Sequence, residues 1–351
     1  MGHNNTKKNI NQKSEKSNKN NNTLNNKKNI YKSLNIISEI NFIFISKYEN
    51  KKILIVVHKN GIIIYDIETY EILGSLIKNN SFHSLIRLKN DIFAVPGNFI
   101  LTFKLKNINN KYEIIFENLI KNNININNGK IEKLISSKFN EDNIILLYSN
   151  NFEIIKLEYL KENDETFIKR KLISTIKAKN IYELLEINKE KLAYVDNNVL
   201  SIFSRETNQI LQNYKVDISI YCTEIFQMLN DDILCYGGLN SLYFISIKYS
   251  IICKQISFES KYKIIGMEKS NENIIYISTR YFFNNHNYYV DMFEINCIYD
   301  KFNKNKEKKL MEVNINSKIC FNKKTMGNWY IRHIDDQKII TSEQNFIHFW
   351  K

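Results

Sequence analysis

The chain of 351 residues has a single proline and only nine glycines. No glycine-rich phosphate loop can be drawn from so few, and neither G-x-S-x-G nor H-E-x-x-H occurs. Arginine is rare, which weighs against bidentate readout of phosphate or guanine. The five cysteines, Cys222, Cys235, Cys253, Cys297 and Cys320, fall mostly inside apolar runs with no C-x-x-C pair. Their spacing makes neither a zinc knuckle nor a redox motif, and an odd number of buried thiols suits a reducing compartment. The six histidines (His3, His58, His83, His286, His333, His348) lack metal-ligand spacing. No metal or other cofactor is expected. No apolar run approaches the ~18 residues of a membrane-spanning helix, and the N-terminus is polar where a signal peptide would be apolar. The expected location is cytoplasmic or nuclear.

What the chain has in quantity is strand-forming residues. Hydrophobic residues make up 43% and aromatic residues 13%, with Ile, Phe and Tyr dominant and Ala scarce. β-branched and aromatic side chains pack well on a pleated surface, so an all-β fold is expected. The net charge of +13 is unevenly placed. Lys7, Lys8, Lys13, Lys16, Lys19, Lys27, Lys28 and Lys32 stand against Glu15 alone in the first 34 residues. The rest is only mildly basic, which implies no nucleic-acid groove.

The stretch from Lys52 to Ile77 sets the pattern: an apolar run Ile53–Val57, the pair Asn60-Gly61, a second run Ile62–Tyr65 closed by Asp66, and a third through Ile72, Leu73 and Leu76. Asn-Gly between two such runs is a hairpin signal, because a type I′ turn needs positive φ at both central residues. The unit repeats. Turns lead into Phe99–Lys104, Phe152–Leu157, Val199–Ser204, Leu242–Ser246, Tyr289–Glu294 and Phe346–Trp350. Ahead of each turn lies another strand: Ile92–Val95, Ile144–Tyr148, Leu192–Val195, Ile233–Tyr236, Ile274–Ile277 and Ile339–Thr341. Further strands are expected at His83–Leu88, Tyr182–Ile187 and Thr223–Leu229. An aromatic recurs at one place, as Tyr65, Phe103, Phe203, Phe293 and Trp350, with Lys156 and Ile245 as exceptions. The spacing predicts a β-propeller of about seven four-stranded blades.

This rhythm, with its aromatic-plus-polar strand ends such as Tyr65-Asp66, resembles a degenerate WD-repeat propeller over residues 29–351. No Gly-His pair precedes any blade, so the hydrogen-bonded tetrad of such repeats is not expected. The resemblance implies a binding platform with other proteins as partners. Since the chain stops after a third strand, Asn29–Ile36 is expected to supply the missing outer strand and close the ring.

Residues 1–28 form an Asn/Lys/Ser-rich tail too poor in apolar residues to fold. Met1-Gly2-His3-Asn4-Asn5-Thr6 fits the N-myristoylation pattern M-G-x-x-x-[ST], followed at once by Lys7 and Lys8. A single acyl chain binds membranes only marginally, so a second signal is required; Lys7, Lys8, Lys13, Lys16 and Lys19 can supply it on an anionic surface.

Two insertions break the repeat, Arg280–Asn287 and Tyr299–Lys309. Tyr281, Phe282 and Phe283 either form a partner-binding loop or, in Tyr281 and Phe282, extend a strand pair of the sixth blade. Carboxylate pairs such as Asp231-Asp232 and Asp335-Asp336 sit in turns, where they cap. The expected function is a non-catalytic protein-interaction scaffold, with no small-molecule substrate, held reversibly on a membrane by Gly2 and the polybasic tail. The alternative is a soluble subunit of a larger assembly, such as a ribonucleoprotein, whose tail contacts RNA phosphates.

Overall fold

The computed structural model describes residues 30–350 apart from 37, 79–81, 98, 118, 121–129, 163–164, 179–180, 218–224, 272, 283–287, 300–309, 326–328, 336–337 and 344. The strands form seven antiparallel sheets of four, each a meander. Blade 1 holds Ile40–Tyr48, Lys51–His58, Gly61–Asp66 and Ile72–Ile77. Blade 2 holds Ile86–Arg87, Ile92–Val95, Leu101–Ile108 and Lys111–Glu117; blade 3 holds Lys133–Ser136, Asn143–Leu147, Asn151–Glu162 and Glu165–Lys177. Blade 4 runs through Ile181–Glu186, Lys191–Asp196, Val199–Ser204 and Gln209–Lys215, and blade 5 through Phe226–Met228, Ile233–Gly237, Ser241–Ser246 and Ile251–Ser257. Blade 6 comprises Tyr262–Lys269, Ile274–Phe282, Tyr288–Tyr299 and Leu310–Thr325. Blade 7 takes Trp329–Asp335, Lys338–Glu343 and Phe346–Trp350 from the C-terminal end and its fourth strand, Ile30–Asn35, from the N-terminal end. The expected closure is therefore present.

Burial explains why the second and third strands read as unbroken apolar runs. Each blade is covered on both faces by its neighbours, so inner strands bury most side chains on both faces instead of alternating. Ile53, Leu54, Ile55, Val56 and Val57 are all fully buried, whereas the outer strand of blade 4 is mostly exposed. First strands of neighbouring blades meet around the axis and are tied by long side chains. Arg87 donates to the Lys47 carbonyl, Lys133 pairs with Glu183, and Lys269 reaches the Met228 and Leu229 carbonyls. Tyr330 closes the ring by donating to the Asn41 carbonyl.

Asparagine closes many of the turns. Asn188 Oδ1 accepts from the Glu190 and Lys191 amides, and Asn230 Oδ1 from Asp232 and Ile233, each closing a turn from first to second strand. Asn197 (φ 46°) and Asn198 (φ 67°) form a two-residue hairpin with both residues left-handed. The polar residue after the recurring aromatic acts in a similar way, since Asp66 Oδ1 and Ser204 Oγ accept amides of the turn into the fourth strand.

Two details depart from the sequence reading. The first hairpin closes one residue early, with Lys59 and Asn60 as its loop and Gly61 already paired to His58. Gly61 takes φ +151°, and a Cβ there would stand 1.9 Å from the Leu76 carbonyl oxygen. The place of the recurring aromatic is held in blade 3 by Ile155, not Lys156, and in blade 6 by Ile295, not Phe293. Pairing puts each of them opposite the second residue of its neighbouring strand, as Phe203 is opposite Leu192. In blade 7, Trp350 Nε1 donates to Thr341 Oγ1 at 2.8 Å, tying third to second strand.

Candidate functional site: the rim and seams of the propeller

The sequence-predicted site residues divide sharply. Gly2, Thr6, Lys7, Lys8, Lys13, Lys16 and Lys19, with the whole tail 1–28, lie outside the described residues, as does Phe283. Ile30 lies opposite Trp350, so the chain joins the ring at the end of the third strand of blade 7, on the outer edge. Arg280, Tyr281 and Phe282 continue the second strand of blade 6, with Tyr281 opposite Tyr289. The Tyr281 ring is half-buried and meets Tyr262 edge-on at 5.1 Å.

Buried titratable groups are explained by packing. Cys235 and Cys297 sit in the core between blades 5 and 6, and burial pushes the Cys297 thiol up to about 12. His58 is buried, which holds its ring below the ordinary value. Its Nδ1 accepts from the Asn60 amide (3.4 Å) and hence from Ser38 Oγ (2.6 Å), so Nε2 carries the proton. Between blades 3 and 4, Glu186 is buried and accepts from Ser137 Oγ at 2.9 Å, the Lys138 amide at 2.6 Å and Arg205.

The outer strands share a feature that composition does not reveal. In blades 1, 3, 4, 5 and 6 each carries a one-residue bulge, at Leu73, Ile173, Leu211, Cys253 and Asn316. Such bulges twist an edge and interrupt its ladder, which discourages indiscriminate strand pairing. The residue just before each bulge is aliphatic and exposed: Ile72, Leu172, Ile210, Ile252 and Ile315. The rim thus presents at least one exposed aliphatic side chain on each bulged blade.

The seams between these outer strands are spanned in different ways. At seam 1/2, Gly74 lets the strands approach so closely that a Cβ there would lie 2.2 Å from the Tyr112 carbonyl oxygen. Seam 2/3 is filled by the chain itself: the Ile168 amide donates to the Leu119 carbonyl at 2.7 Å and Ile120 bridges Ile168 in parallel. Gln212 of blade 4 crosses seam 4/5 to Ser250, and Lys32 stands over the Tyr70 ring at seam 7/1. Seam 3/4 is open. It holds a cleft of about 530 Å³ lined by Asn143, Ile173, Ser174, Lys189 and Arg205, and a second of about 500 Å³ that shares Thr175 and Asn208 with it.

A chain from the crystal structure of a mitotic checkpoint complex is similar to this one across 99% of both chains, with a TM-score of 0.56 and 10% identity. At that identity the likeness is one of fold. No family model and no curated protein matches the chain. The ring of seven meanders, its closure by an N-terminal strand and the near end-to-end likeness together make this a seven-bladed β-propeller.

Proposed function

We propose that this propeller is a non-catalytic protein-interaction platform held reversibly on a membrane by N-myristoyl Gly2 and the lysines that follow it. The observation that carries the platform reading is the rim, with its repeated exposed aliphatics at Ile72, Leu172, Ile210 and Ile252 and an open seam between blades 3 and 4. Clustered apolar side chains bordered by polar ones mark interaction surfaces. The membrane reading rests on the sequence pattern Gly2-x-x-x-Thr6-Lys7-Lys8, and it is supported by where Ile30 enters the ring. A tail that starts from an outer edge can reach a surface without displacing any blade. One acyl chain plus several lysines, each contributing roughly 1 kcal/mol near an anionic leaflet, gives attachment that salt reverses.

The test is fractionation of cells carrying the wild type or Gly2→Ala. The wild type is expected in the membrane fraction and released by salt, and Gly2→Ala in the soluble fraction with its cross-linked protein partners retained. A tail that instead holds RNA phosphates would leave both variants in the same fraction and make recovery sensitive to ribonuclease.

A further inference from the structure

We propose that the free edge of blade 3 at Ile173–Lys177, facing the open seam to blade 4, docks an extended acidic and aliphatic segment of a partner protein as an added strand. This deepens the platform reading and rests on it.

The contrast with seam 4/5 shows why this seam stands open. Gln212 and Ser174 hold the same place in their outer strands, each directly after a bulge and opposite the isoleucine that precedes the recurring position, Ile202 and Ile154. Ser250 and Asn208 hold the same place in the facing turns, both left-handed, with φ 59° and 55°. Gln212 is long enough to bond Ser250 across the gap. Serine is shorter by two methylenes' reach, and Ser174 leaves Asn208 unbridged.

Seam 2/3 shows what such a space accepts. There Leu119 and Ile120 add alongside the same outer strand of blade 3, through the Ile168 amide, with Ile120 buried among blade 2 and blade 3 side chains. The outer strand of blade 3 therefore already takes an extended segment on its edge at Ile168. Four consecutive residues, Ser174, Thr175, Ile176 and Lys177, line the two clefts. In a strand, side chains alternate between faces, so four in a row are reached together only along the edge, where the backbone amides and carbonyls stand.

The chemistry of the walls selects the occupant. Lys177, Lys189 and Arg205 line the clefts and no carboxylate does. Lys177 and Lys189 have no carboxylate partner among the described residues, while Arg205 is fixed by Glu186. Asn143 is buried and its Oδ1 lacks a hydrogen-bond partner, as does Arg205 Nε. Ile173 and Ile210, exposed on either side, supply apolar contact. The chain's own lysine-rich tail has the wrong charge for this site.

The test is selection of random displayed peptides of about twelve residues, enough for a strand and its flanks, on the full-length protein. Enriched peptides are expected to combine Asp or Glu with Ile, Leu or Val. Their affinity should fall at least about tenfold in Ser174→Gln, which rebuilds the bridge of seam 4/5, and in the pair Lys177→Glu, Lys189→Glu. All three positions are exposed or half-buried, so folding should be unchanged, and thermal melting checks this. Hydrogen exchange should slow in residues 171–177 on peptide binding. Selection without an acidic bias, affinity indifferent to these variants, or protection elsewhere overturns the proposal. Cross-linked partners retained by both variants while no peptide binds would sink the seam and leave the platform standing; loss of every partner in the wild type would sink the platform itself.

Discussion

Ile30 faces Trp350 across the outermost ladder of blade 7, so the strand nearest the N-terminus is hydrogen-bonded to the strand nearest the C-terminus. That ladder runs to Asn35 opposite Phe346 and is continued by the Ile36 amide donating to the Asn345 carbonyl. Deleting residues 1–28 should leave the denaturant midpoint unchanged. Deleting residues 1–36 removes the ladder and the fully buried Ile36, and should cost at least about 3 kcal/mol and promote aggregation through the bared edge of Phe346–Trp350. Equal stability of the two truncations would contradict the closure.

Seam 1/2 depends on the missing side chain of Gly74. Gly74→Ala should destabilise by on the order of 1–3 kcal/mol, since the new methyl meets backbone at 2.2 Å and only a shift of one strand relieves it. Ser75→Ala beside it, on an exposed position, should be within about 0.5 kcal/mol of wild type in the same urea titration.

Glu186 is buried and its partner Arg205 is half-buried at the cleft, and removing one partner leaves the other's charge uncompensated. Glu186→Ala should cost on the order of 1–3 kcal/mol, and the double replacement Glu186→Leu, Arg205→Met should recover part of it. A thermodynamic cycle over the four proteins measures this; additive losses would show that the pair is not coupled.

Stability should depend on pH through His58. Its folded value is depressed by burial below the ordinary 6.5, so under that pH the unfolded chain binds a proton that the folded chain refuses. Stability is then complete above about 6.5 and lost as pH falls from there through the folded value. His58→Gln keeps an acceptor for Ser38 and should flatten the slope between neutral and mildly acidic pH; an unchanged slope would remove His58 from the account.

Much of this architecture is legible in the residues. Buried inner strands announce themselves as unbroken runs such as Ile53–Val57 because neighbouring blades cover both faces, and turns such as Asn188–Lys191 appear through asparagine's habit of capping its own backbone. The closing strand Ile30–Asn35 pairs with Phe346–Trp350 across more than 300 residues of chain, which the ring brings together. The open seam is not legible in this way. It depends on Ser174 facing Asn208 across a gap between blades and on bulges that shift register by one residue. The alignment of Gln212 with Ser174 becomes visible only once strand pairing fixes which residues are equivalent. Aligning the blades by their turns misplaces Phe293 and Lys156 for the same reason, since turns are insensitive to extra residues within the hairpins of blades 3 and 6.

Recruitment through Gly2 is tested most directly by mass spectrometry of the N-terminal peptide from protein isolated from its own cell. The expected peptide begins at Gly2, without Met1, and carries a myristoyl group on its amine. A free or acetylated terminus would contradict membrane attachment by this route.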